Sequence, residues 1–152
     1  MAAGFFPDTH AEQDPDRPAY ILARSGEVVT YGELTERCRR TAHLMRSVGA
    51  EKGSAVAFML ENHPRFLELA WGAQRAGLRY TAISPRLTAE EVAYMLEDSG
   101  ARVLFASAAT ADVARDAAAR SPGVGATSAP SGRPVDAAVA AAVPRGPLTV
   151  PR

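Results

Sequence analysis

Tyr80–Ser107, YTAISPRLTAEEVAYMLEDSGARVLFAS, constrains the fold more than any other stretch, because both ends of its helix are written into the residues. Thr88 is placed as an N-cap, its hydroxyl able to accept from the amide of Glu91. The Glu91 carboxylate can return a bond to the Thr88 amide, which makes a capping box. Leu87 and Val92 stand at the positions of a hydrophobic staple around that cap. Gly100 supplies a residue that tolerates the left-handed conformation needed to end the helix. Val103–Ala106 is apolar enough for a buried strand. The segment predicts a strand, a capped helix and a second strand.

The same grammar recurs upstream. Ala19–Ala23 and Glu27–Thr30, separated by Arg24-Ser25-Gly26, predict a hairpin. Thr30 and Glu33 form a second capping box, with Val29 and Leu34 as its staple. Tyr31, Leu34, Cys38, Ala42, Met45 and Val48 recur at helical spacing, and Gly49 closes that helix. Ala55–Leu60 is a near-continuous apolar run, as expected for a strand covered on both faces. Pro64 suits the first turn of a helix running to about Ala76, where Gly77 stops it. Phe66, Leu67, Leu69, Ala70, Trp71 and Ala73 leave only a narrow polar stripe of Arg65, Glu68 and Arg75. A last helix is expected over about Ala108–Arg120. Strands alternating with helices predict an α/β fold, a parallel sheet with flanking helices.

Composition matters at the two ends. Residues 1–18 read as a polar, proline-punctuated lead-in and 19–120 as the folded unit. Residues 121–152 hold six of the 11 prolines and read as a low-complexity, disordered tail in which only Ala137–Val143 could make a short helix. The formal net charge of zero argues against nucleic acid or an anionic membrane as a partner. No transmembrane segment and no signal peptide is read. Cys38, the sole cysteine, fits a reducing cytoplasm.

Four motifs carry a family resemblance. They are Pro15-Asp16-Arg17-Pro18-Ala19, Val29-Thr30-Tyr31-Gly32-Glu33-Leu34, Met59-Leu60-Glu61-Asn62 and the segment Ser84-Pro85-Arg86-Leu87-Thr88 through Asp98-Ser99-Gly100-Ala101. In this order and spacing they resemble the N-terminal region of AMP-forming acyl-CoA synthetases, over roughly residues 8–120. Ser84 stands where many relatives carry Asn. The resemblance implies a ligase of fatty acid metabolism that uses ATP and Mg²⁺ to activate a fatty or related carboxylic acid to an acyl-adenylate. The acyl group then passes to CoA.

The residues for that chemistry are not met in this stretch. Phosphate binding needs backbone amides and a lysine, which the family supplies in an S-G-T-T-G-x-P-K-G segment further on. Gly123-Val124-Gly125-Ala126-Thr127-Ser128 has no following lysine, and the only lysine, Lys52, falls in a turn before a strand. His10, His43 and His63 lack partners at metal-ligand spacing. Cys38 reads as a core residue. Glu90, Glu91, Glu97 and Asp98 read as capping and solvated acids, and Arg37, Arg39 and Arg40 as a solvated face. No catalytic, cofactor-binding or metal residue is therefore assigned. The expectation is an N-terminal fragment, inactive alone, with its reading frame shifted or ended near Gly123. Exposure of Phe66 and Trp71 would leave it partly folded or prone to aggregate. The alternative is a non-catalytic module docking with a separately encoded partner half. A stand-alone small-molecule binding domain is a third reading.

Overall fold

The computed structural model describes residues 6–124 and 140–141. Its elements are α1 (Pro7–Gln13), β1 (Pro18–Ile21), β2 (Val28–Thr30), α2 (Tyr31–Ser47), β3 (Ala55–Met59), α3 (Phe66–Arg75), β4 (Arg79–Ile83), α4 (Ala89–Ser99), β5 (Ala101–Ala106), α5 (Ala111–Arg120) and β6 (Ala140–Ala141). β1 and β2 make a separate antiparallel hairpin. The main sheet has the order β4-β3-β5-β6, parallel except for the antiparallel β6.

Strand alternation splits the core into two layers. Val56 and Phe58 of β3 with Val103 and Phe105 of β5 face α2 and α3, meeting Met45, Leu69 and Ala73. Ala57 and Met59 with Leu104 face the other way, onto Val92 and Leu96 of α4 and Ala117 of α5. Every residue of β3 is buried, which is why its sequence shows no alternation. The chain leaves β3 over one face to reach β4, then returns over the opposite face to β5. That reversal puts α3 and α4 on opposite sides of the sheet.

Both capping boxes form. Thr30 and Thr88 each accept from the amide three residues on, and Glu33 and Glu91 each accept from the cap residue's own amide. Gly100 ends α4 at φ +66°, a value L side chains rarely adopt.

Several expectations change. The polar lead-in contains α1, with Pro7 in its first turn and buried. Asp8 of α1 pairs with Arg75, and the His10 ring lies 4.8 Å from that of Tyr31. α3 begins at Phe66 rather than near Pro64, after a turn closed by the Phe66 amide on the His63 carbonyl. Phe66 and Trp71 are not left in water. Phe66 meets Phe58 edge-on at 6.4 Å between ring centres, and Trp71 packs on Val29, Leu34 and Cys38. In the tail, Ala140 and Ala141 form a strand beside Phe105 and Ala106, not a turn of helix. The free edge of β5 offers that segment backbone partners. Residues 125–139 and 142–152 of the expected disordered tail lie outside the described residues.

Candidate functional site

In doubly wound sheets ligands bind at the carboxyl ends of the strands, where neighbouring strands send their loops to opposite faces. Here those neighbours are β3 and β5. The loop after β3 leads to α3 on one side, and the loop after β5 leads to α5 on the other. A polar cluster joins them. The Thr110 hydroxyl donates to the Met59 carbonyl at 2.6 Å, and the Ser107 hydroxyl, 3.2 Å from that of Thr110, donates to the Glu61 carboxylate. Ser107 and Thr110 are buried and Glu61 is exposed. The bonds from Ser107 and from its own backbone amide hold the Glu61 carboxyl below the usual carboxylate range.

Beside this cluster a groove of about 1010 Å³ runs between the hairpin and the ends of β3 and β4. Ile21, Leu60, Phe66 and Leu67 are among its apolar lining residues, with Arg24, Glu61 and His63 as its ionisable ones. The Arg65 amide donates to His63 Nδ1 at 3.2 Å, so the neutral ring carries its proton on Nε2. Tyr20, also lining the groove, is committed elsewhere. Its hydroxyl donates to the Pro64 carbonyl at 3.2 Å, and burial, then the charge of Glu68, push its ionisation upward.

Behind the hairpin lies an ion-pair network. Glu68, only 4% exposed, takes Arg37 at 3.2 Å and Arg65 at 3.8 Å. Burial works against the Arg37 charge, but the bond from Glu68 and then its negative charge outweigh it and raise the pKa. Arg37 is thus a half-buried partner and not part of a solvated face, while Arg39 and Arg40 are exposed, the latter paired with Glu36 at 2.9 Å. Glu68 likewise leaves the polar stripe expected for it.

The remaining candidates do not converge. Cys38 is buried between α2 and the hairpin, and burial, then the charge of Glu68, push its thiol up to about 12. Glu90, Glu97 and Asp98 are exposed on α4, and Glu91 is used in its cap. His43 is exposed on α2. Among the described residues no three His, Cys, Asp or Glu side chains group as a metal site would require. Lys52 packs its stem near Gly77 and does not reach the groove's lining.

The fold and its carboxyl-end groove define a doubly wound α/β unit. The profile of the AMP-binding enzyme family matches residues 7–144, and the chain belongs to that family. The match runs past residue 120, where the resemblance was expected to stop. A fatty acid–[acyl-carrier-protein] ligase of Streptomyces coeruleorubidus is 33% identical over 96 residues, which is 63% of this chain and 18% of the relative. A 4-hydroxybenzoate–CoA/benzoate–CoA ligase of Rhodopseudomonas palustris is 38% identical over 94 residues, 62% of this chain and 17% of the relative. The chain thus spans about a fifth of these relatives. Among solved structures, a Mycobacterium tuberculosis fatty acyl CoA synthetase superposes with a TM-score of 0.69 at 31% identity, covering 74% of this chain and 22% of that one. The inhibitor-bound N-terminal domain of FACL13 from the same organism gives 0.67 at 31%, covering 70% and 27%. The described unit corresponds to the N-terminal part of such enzymes.

Proposed function

We propose that this chain is the N-terminal part of an AMP-forming acid–thiol ligase. The whole enzyme would use ATP and Mg²⁺ to activate a carboxylic acid as its adenylate, then pass the acyl group to CoA. The observation that carries this reading is the superposition at a TM-score of 0.69 with 31% identity. Relatives named for fatty acid and for hydroxybenzoate keep both aliphatic and aromatic acids within the proposal. The single free thiol, Cys38, supports placing the protein in the cytoplasm.

By themselves these 152 residues are proposed not to adenylate. Adenylation needs amides and a cation gathered around the phosphates, and Lys52 stands apart from the groove. The test is exchange of radiolabelled pyrophosphate into ATP with decanoate and with benzoate. The expected result is the rate of the protein-free blank; exchange above it would overturn the account.

A second reading is a docking module for a separately encoded partner half. The outer edge of β4 favours it, since among the described residues β4 pairs with β3 alone. An open edge is a template for a further strand. Co-purification with a protein bearing an S-G-T-T-G-x-P-K-G segment would support it, and a clean monomer from native lysate would count against it.

A further inference from the structure

We propose that the outer face of α4 is a docking surface for the outer face of α2 in a second copy of this chain. The ligase reading plays no part in this; the contact stands on how the fold distributes charge.

The net charge of zero conceals a separation of sign. On α4, Glu90, Tyr94, Glu97 and Asp98 follow the i, i+4, i+7, i+8 spacing of one stripe. All are exposed, while Val92, Ala93 and Leu96 of the same helix are buried. Glu90, in the first turn, suits the helix macrodipole. Glu97 and Asp98 do not: they stand in the last turn, where a cation is favoured, and that turn has no basic residue. Neither makes an ion pair among the described residues, although Arg86 and Arg102 flank the helix in sequence. Two acids set against the local field, beside a tyrosine 69% exposed, do nothing for the folding of this chain. They suit a cationic partner, with Tyr94 as its aromatic anchor.

The α2 helix supplies that partner. Its exposed charges reduce to Arg39 and Arg46, because Glu33 serves the Thr30 cap and Glu36 is paired with Arg40. Arg39, His43 and Arg46 share one stripe, and neither Arg39 nor Arg46 is in an ion pair among the described residues. The two stripes match in length. Arg39 to Arg46 and Glu90 to Glu97 each advance seven residues, about 10.5 Å along a helix axis. Laid antiparallel, α4 brings Glu90 to Arg46 and Glu97 to Arg39, with Tyr94 over His43, and the helix dipoles take their favourable opposed sense. Since α2 and α4 lie on opposite sides of the sheet, one pair of copies does not close both contacts at once. The contact is heterologous, and each added copy leaves one face of each kind free.

The test is sedimentation velocity of the complete chain at about 0.2 mM, in about 0.01 M and about 0.5 M NaCl, where charges are screened over roughly 30 Å and roughly 4 Å. Dimers and longer assemblies are expected in the dilute salt, and monomer alone in the concentrated one. Tyr94→Ala should weaken the association about tenfold. The paired substitutions Glu97→Gln with Asp98→Asn, and Arg39→Gln with Arg46→Gln, should each give a monomer in both salts. An equimolar mixture of those two variants should form a species of two chains and stop there, because each brings one intact face. Neutralising the acids in the last turn of α4 relieves their conflict with the dipole, so that variant should melt no lower than the parent. Its loss of association is thereby separated from loss of the fold. A parent that stays monomeric in dilute salt, association that survives concentrated salt, or a variant mixture that stays monomeric would each overturn the proposal.

Discussion

Substitution of Gly72 by alanine sets two opposing terms against each other, and the structure decides the sign. Alanine in a helix interior is favoured over glycine by roughly 1 kcal/mol. Against that, a Cβ built at Gly72 would lie 2.7 Å from Thr41 Cγ2, 2.8 Å from Thr41 Cβ and 3.3 Å from the Cys38 carbonyl oxygen. Thr41 is buried, and the atoms in the way are the root of its side chain, not a flexible end. Relief requires α2 and α3 to separate by on the order of half an ångström, loosening the layer that holds Met45, Leu69 and Phe58. Overpacking of this kind costs about 1–3 kcal/mol, and contacts this short against the root of a buried side chain belong at the upper end, about 2–3 kcal/mol before the propensity gain is subtracted. The expected net effect is a loss of about 1–2 kcal/mol and a fall in Tm of roughly 5 °C, measured by thermal unfolding under circular dichroism. In a Thr41→Ala background, where Cγ2 is gone but Cβ remains, the loss should shrink without vanishing. A raised Tm for Gly72→Ala, or strict additivity with Thr41→Ala, would refute the close α2–α3 approach.

Other perturbations read the remaining features. Thr88→Ala removes the cap of α4 and should cost about 1 kcal/mol by urea denaturation, while Tyr94→Ala, 69% exposed on the same helix, should be neutral. Glu68→Ala breaks the buried end of the Arg37 and Arg65 network. Full burial would make that worth 3–5 kcal/mol, but both arginines are partly exposed and screening reduces the expectation to about 2 kcal/mol. Cys38, with its thiol raised to about 12, should resist a maleimide at pH 8 until urea opens the fold; labelling at the rate of a free thiol would contradict its burial. Glu61 has a lowered folded-state pKa, so its contribution is present above the unfolded value of about 4.3 and is lost as pH falls through the lower folded one. Glu61→Gln should therefore lose less stability than the unchanged protein as acid is added below pH of about 4.3. Parallel acid limbs for the two proteins would show that the Ser107 bond does not act on Glu61.

What was legible in the sequence is what local rules control. Thr30 with Glu33 and Thr88 with Glu91 cap across three residues, and such a bond can be read without knowing the fold. The buried strand Ala55–Met59 was legible because a doubly covered strand has no polar side to show. Contacts that depend on where the chain returns left no such trace. Glu68 looked like an ordinary polar position on α3, since its partner Arg37 lies 31 residues away. α1 was invisible because seven residues rarely make a helix alone; its helicity rests on Asp8 meeting Arg75, 67 residues on. The bond between Ser107 and Glu61 spans 46 residues. The candidate site belongs to this second kind. Its Arg24 comes from a hairpin turn, its His63 from the loop after β3, and its Leu67 from the first turns of α3. Each taken alone is an unremarkable surface residue. Only the winding of β3, β4 and β5 brings their loops to one end of the sheet, so a groove there follows from topology before any side chain is chosen. Residue choice then decides how it is lined, with Ile21, Leu60, Phe66 and Leu67 among its apolar residues and Arg24, Glu61 and His63 as its ionisable ones.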